Sequence, residues 1–198
     1  MDGRILYNPL AVLGKGKGFA AAMIVVIVLA IVAWWGGVHL DGALDMHVIP
    51  KPPSGLLIFG ESLIAWLSLG LFLFAGAKIF GGNSSLGAHL AAVGLGRFPY
   101  ILAAIVFSRP VLGRTMLKAV SLRGEEIVVR PQDLLTPGLI IGGFAVLAFV
   151  IWAIVILYLG YREASRLRGG KAVASFVIGI ILAEAISKLL LWLVRIAS

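Results

Sequence analysis

Residues 138–160 read GLIIGGFAVLAFVIWAIVILYLG, a run that contains no charged side chain. A helix needs about 20 consecutive apolar residues to cross the hydrocarbon core of a bilayer. Residues 19–38, FAAAMIVVIVLAIVAWWGGV, are a second run of this kind, and the Trp34–Trp35 pair in it is typical of a membrane interface. Both runs therefore predict transmembrane helices.

The composition extends this interpretation to the whole chain. Of its 198 residues, 61% are hydrophobic and only 13% are charged, and the mean hydropathy is +1.06. Soluble domains carry about 25% charged residues. Because each span takes roughly 20 residues, five spans and their loops use nearly the whole chain. No soluble catalytic domain fits in the remainder.

We predict an all-α integral membrane protein, a bundle of five transmembrane helices. A short cytoplasmic segment, residues 1–18, precedes a single transmembrane domain, residues 19–198. The spans are expected at about residues 19–38, 56–77, 86–107, 138–160 and 172–194.

The third span, Leu86 to Phe107, is the least regular of the five. It contains His89, Arg97 and Pro99, and proline in a glycine-containing helix favours a kink. If this segment is re-entrant, the bundle has four crossings. The distribution of Lys and Arg between the two sides mildly favours four crossings, whereas length and hydropathy favour five, which we predict.

The net charge of +8 comes from basic residues in short loops between apolar segments. Basic loops beside a membrane reflect topology and attraction to anionic headgroups. We therefore expect membrane lipids as partners, and no nucleic acid. The chain has no cysteine, which excludes disulfides and thiolate metal sites.

Four charged residues fall inside predicted spans. Arg97 and Glu184 lie near the midplane, whereas Glu61 and Lys188 lie nearer one face. Matched depths allow two cross-helix pairs, Arg97–Glu184 and Glu61–Lys188, although Glu184 and Lys188 also have the favourable i, i+4 spacing. The charges either fix helix register and rotation or form a polar pathway for a proton, ion or headgroup. Their balanced signs favour the first interpretation.

Small residues recur in the last two spans. The fifth span carries one every four positions, and the fourth has the GxxxG spacing; the residues are Ser175, Gly179, Ala183 and Ser187, then Gly138 and Gly142. Such stripes let helices approach closely. The stripe packs within the monomer or forms a dimer seam.

The sequence has no convincing metal or catalytic site. The first loop contains His39, Asp41, Asp45 and His47, but histidines eight apart match no zinc spacing. The GKGKG run at residues 14–18 lacks the strand and Ser/Thr of a nucleotide-binding loop. We therefore expect no enzyme activity, no metal and no cofactor.

Three segments carry a family resemblance: NPLAVLGK at residues 8–15, AKIFGGNSSLGAHLAAVGLGRFPYIL at residues 77–102 and WAIVILYLGYREASRLRGGKAVA at residues 152–174. In these segments the chain resembles the Yip family of polytopic membrane proteins, in its prokaryotic branch. The matching positions are Asn8-Pro9, Gly81-Gly82, Pro99, Glu163-Ala164 and Lys171-Ala172. Arg97 departs from the family pattern, which is mostly apolar there.

The resemblance implies five helices with a cytosolic N-terminus and a C-terminus on the far side. Eukaryotic members engage prenylated Rab-type GTPases, partly through a longer N-terminal region. Residues 1–18 are short for that role, so GTPase binding is not carried over.

These observations predict a non-enzymatic, multi-pass membrane protein. We expect it in the prokaryotic inner (plasma) membrane, with its N-terminus in the cytoplasm. We expect it to act as a membrane-organising or adaptor protein through helix and lipid contacts, with a membrane-protein partner or a second copy of itself. The competing hypothesis is a small transporter or lipid-handling protein that uses the four intramembrane charges as a polar pathway.

Overall fold

The computed structural model describes residues 3–40, 42–48, 54–123, 126–129 and 136–197. These residues are largely helical. The helices are α1 (Pro9–Gly36), α2 (Gly55–Ile79), α3 (Leu86–Gly96), α4 (Phe98–Phe107), α5 (Arg114–Ala119), α6 (Pro137–Ser165) and α7 (Gly169–Ala197), with a 3-10 turn at Gly3–Leu6 and a π turn at Arg109–Gly113. Two antiparallel hairpins pair β1 (Val38–His39) with β2 (His47–Val48), and β3 (Val120–Arg123) with β4 (Glu126–Val129).

Five helical segments are long and apolar enough to cross a membrane. They are Gly16–Gly36, Gly55–Ile79, Leu86–Leu117, Pro137–Ser165 and Gly169–Val194. The predicted all-α bundle of five transmembrane helices is therefore confirmed. Large apolar side chains cover its outside, as on Ile24, Phe144 and Ile181, and lipid tails solvate such a surface without cost.

The third span is a kinked helix that runs the length of the bundle. It breaks at Arg97, between α3 and α4, with Pro99 in the first turn of α4. Gly94 lies against Ala22, and Ser108 lies against Gly36, so α3 and α4 run parallel to α1. The span crosses from one end of the bundle to the other, and the four-crossing alternative is not what the chain adopts.

Close packing of α2 against α7 explains the small-residue stripe. Gly76 lies against the backbone of Ser175, and Gly179 lies against Leu73. Ser175, Ala183 and Ser187 are completely buried. The stripe thus faces α2 within the monomer. In α6, Gly142 is buried against Leu112 and Gly138 is exposed.

The N-terminal segment folds back along the bundle. Gly14 has a positive φ of 72° inside α1, a backbone conformation that glycine adopts without strain. Before this turn, Leu10 is buried, and the carbonyl oxygen of Leu6 accepts a 2.6 Å hydrogen bond from Trp152 Nε1. Trp152 lies near the middle of α6. Residues 3–13, predicted as part of a cytoplasmic segment, therefore lie beside the membrane-spanning helices.

Candidate functional site

The loop between α1 and α2 enters the bundle. We call its described part, residues 37–40 and 42–48, the first loop, and the end of the bundle where it lies the loop end. Gly37 closes α1 in the left-handed conformation, with φ 65°. Val38, Leu40 and Ala43 are each no more than 3% exposed. A segment with polar composition is thus inserted among apolar helices.

Arg97 holds this loop from the third span. The helix break at Arg97 arises because Pro99 cannot donate to the preceding turn. The Arg97 side chain is 5% exposed, and its Nη2 donates a 2.9 Å hydrogen bond to the carbonyl oxygen of Ala43. Tyr100, one turn further along, donates its hydroxyl to the carbonyl oxygen of Leu44 at 3.0 Å.

Glu184 holds the same loop from α7. Its Oε2 accepts a 3.0 Å hydrogen bond from the backbone N–H of Leu44. The carbonyl of Ala43 and the N–H of Leu44 belong to one peptide group, so Arg97 and Glu184 bind opposite ends of it. A Cβ at Gly42 would overlap the Glu184 carboxylate. A side chain at position 42 would therefore displace the Glu184 carboxylate from its place beside the loop.

A chain of charges continues from Glu184 to the surface. Lys188 Nζ lies 3.2 Å from Glu184 Oε1, the i, i+4 contact that the spacing suggested, and 3.0 Å from Asp45 Oδ2 on the first loop. Lys188 and Asp45 are each nearly half exposed. The first loop is thus bound to α7 by one partly buried hydrogen bond and one exposed ion pair.

Glu61 of α2 contacts the other arm of the loop. Its Oε2 lies 2.7 Å from His39 Nδ1, and both side chains are buried. The His39 ring stacks on His47 across the β1–β2 hairpin, with ring centroids 5.5 Å apart. This contact fixes the hairpin against α2.

The structure therefore places all four charged side chains against the first loop. The two predicted cross-helix pairs, Arg97–Glu184 and Glu61–Lys188, do not form. Arg97 and Glu184 meet through the peptide group of the first loop and not directly. Glu61 pairs with His39 instead of Lys188. Sequence reasoning missed the three partners His39, Tyr100 and Asp45. Of these, Tyr100 had a usable signal, because it lies one turn after Arg97 on the same helix face.

The candidate metal ligands do not converge. Within the described ranges no group of three or more His, Asp or Glu side chains could hold a metal ion. His39 and His47 face each other, and Asp41 lies outside the described residues. The GKGKG run forms the turn at Gly14, with no strand before it.

Five apolar helices packed around an inserted loop define a multi-pass helical membrane protein. A family model for the Yip1 domain matches residues 11–190, so the chain belongs to the Yip1 domain family. No curated protein and no solved structure matches the chain.

Proposed function

We propose that this protein is a non-enzymatic membrane-organising or adaptor component that acts through helix and lipid contacts. The observation that carries the proposal is the use of the intramembrane charges. Arg97 and Glu184 bind one loop peptide, and Glu61 contacts His39. Groups held in internal contacts are not available to carry an ion, and their role is to fix the loop.

This arrangement argues against a polar pathway. A pathway needs ionisable groups that exchange partners with water or substrate. Here Arg97 is 5% exposed and Glu61 is 1% exposed. The exposed part of the charge chain, Lys188 and Asp45, lies at the loop end. The outer surface of the bundle is apolar, which suits contact with lipids and with other transmembrane helices.

The proposal extends to location and orientation. Counted along the sequence, eight Lys and Arg fall on the N-terminal side of the predicted spans and seven on the other, so the positive-inside rule barely decides the orientation. We infer a cytoplasmic N-terminal side, in a prokaryotic inner membrane, from the resemblance to the Yip family.

Crosslinking in cells tests the adaptor role. A tagged chain is crosslinked in its native membrane, and the captured proteins are identified by mass spectrometry. A partner recovered in stoichiometric amounts supports the proposal. Capture of the chain alone, together with ion or lipid flux in liposomes, would contradict it.

A further inference from the structure

A polar cavity of about 200 Å³ lies at the end of the bundle opposite the first loop. It is lined by Asn8, Leu159, Arg162, Glu163, Leu167 and Arg168. The N-terminal segment forms one wall, and the last turns of α6 and the connection to α7 form the other. The fold-back at Gly14 thus creates a cavity between two segments that are distant in sequence.

No carboxylate in the described ranges pairs with the cationic groups of this cavity. Within the described part of the chain, Arg162 and Arg168 form no ion pair, although Glu163 is nearby. The guanidinium of Arg162 lies 5.8 Å from the Tyr158 ring, which holds it in place. Its Nε is buried and has no hydrogen-bond partner among the described residues.

A buried guanidinium N–H without an acceptor is costly, because it has lost its water without gaining a partner. Guanidinium groups recognise phosphate with two parallel N–H donors. Arg168 directly precedes α7, and the first turn of a helix is its positive end. Net charge, donor geometry and position therefore favour an anion with several acceptor oxygens.

We propose that this cavity binds the phosphate of a phospholipid headgroup, with Arg162 and Arg168 as the two cationic contacts. The inference rests on the proposed function, because it assigns the lipid contact to one site. The cavity lies where the last turn of α6 leaves its apolar stretch, the depth at which headgroups meet a transmembrane helix. Asn8 adds a neutral amide, and Glu163 opposes the negative charge of the ligand.

Native mass spectrometry of the full chain tests this site. The chain is purified in detergent with phosphatidic acid or with diacylglycerol of the same acyl chains, and retained lipid is counted. We expect the phosphatidic acid to be retained and the diacylglycerol lost. Arg162→Gln combined with Arg168→Gln should lower retention by at least about tenfold, since a hydrogen bond between charged groups is worth about tenfold or more in affinity.

Two controls separate a site from general charge and from misfolding. Arg166→Gln with Lys171→Gln removes the same charge from exposed positions that do not line the cavity. Because solvent and salt screen exposed charges that do not contact the ligand, retention should stay within about twofold of the parent. Glu163→Gln removes the opposing charge and should raise retention a few-fold, a gain that a misfolded variant does not produce.

Any of three results with the variants and the two lipids would overturn the assignment. These are equal loss in both double variants, equal retention of phosphatidic acid and diacylglycerol, or no gain with Glu163→Gln. Displacement by inorganic phosphate would make free phosphate the ligand and overturn the lipid assignment. Partner capture on the same variants keeps the two proposals apart. If lipid retention does not depend on Arg162 and Arg168 while the protein partner is still captured, the lipid site is contradicted and the adaptor role is not.

Discussion

Arg97 and Glu184 bind the two ends of a single peptide group, the one that joins Ala43 to Leu44. The carbonyl end, which is partially negative, faces the cation, and the N–H end, which is partially positive, faces the anion. The peptide dipole therefore lies between two opposite charges on different helices. This relationship ties α7, the third span and the first loop into one unit.

Removing either charge should destabilise the protein. Arg97→Leu and Glu184→Leu each leave one end of the peptide without its charged partner, which costs about 2–3 kcal/mol. The double variant leaves both ends of the peptide group without a charged partner, so it should be no more stable than the more stable of the two single variants. Unfolding in detergent, followed by tryptophan fluorescence, measures this.

Arg114→Leu serves as the matched control, because Arg114 is exposed and its loss should change stability by less than about 0.5 kcal/mol. A double variant that recovers parental stability would show that Arg97 and Glu184 form a direct pair, contrary to the structure.

Substitution in the small-residue stripe should affect folding of the monomer. A Cβ at Gly179 would lie 2.9 Å from Leu73 Cδ2 and 3.4 Å from its Cα, so Gly179→Leu forces α2 and α7 apart. We expect a loss of about 1–3 kcal/mol, typical of overpacking. Gly143→Leu is the control, because nothing lies within 4 Å of a Cβ there.

Light scattering during size-exclusion chromatography distinguishes the alternative. If Gly179→Leu leaves unfolding unchanged but converts a dimer into a monomer, the stripe is a dimer seam.

The N-terminal fold-back predicts a pattern of chemical labelling. The chain has no cysteine, so a thiol reagent labels only the cysteine that a substitution introduces. Leu6→Cys lies at the depth of Trp152, in lipid or protein, where the thiolate that reacts with maleimide does not form. In reconstituted vesicles opened to both sides, Lys17→Cys should react rapidly and Leu6→Cys should not. Equal rates would place residues 3–13 in water.

Orientation is read with the same chemistry in intact cells. His47→Cys lies on the exposed side of the first loop, and Lys17→Cys lies at the opposite end. If the N-terminal side is cytoplasmic, an impermeant maleimide should label His47→Cys directly and Lys17→Cys only after permeabilisation. The reverse pattern would invert the proposed topology.

Hydropathy was sufficient to predict the spans. The second, predicted at residues 56–77, is Gly55–Ile79, and the fourth, predicted at residues 138–160, lies within Pro137–Ser165. A span is predicted from the free-energy cost of exposing its apolar residues to water, and that cost depends only on which residues the segment contains. The kink at Pro99 followed in the same way from the missing N–H of proline.

The partners of the charges could not be predicted in this way. Arg97 and Glu184 bind backbone atoms of Ala43 and Leu44, and backbone acceptors are present at every position of the chain. The fold-back of residues 3–13 could not be predicted either, because the composition of these residues is the same as that of an ordinary interfacial segment. Its one indication was Gly14, which could equally have belonged to a flexible linker.

The contact between two charged side chains and one main-chain peptide has an evolutionary consequence. The contact uses main-chain atoms that every residue except proline carries, so correlated substitution between positions 43 or 44 and the two charges will not report it. Proline at position 44 would be the exception, since it removes the N–H that Glu184 accepts. A side chain at position 42 would likewise move the Glu184 carboxylate away from Leu44. Among sequences that keep both charges, the record of such a loop lies in which replacements never occur, and not in which pairs change together.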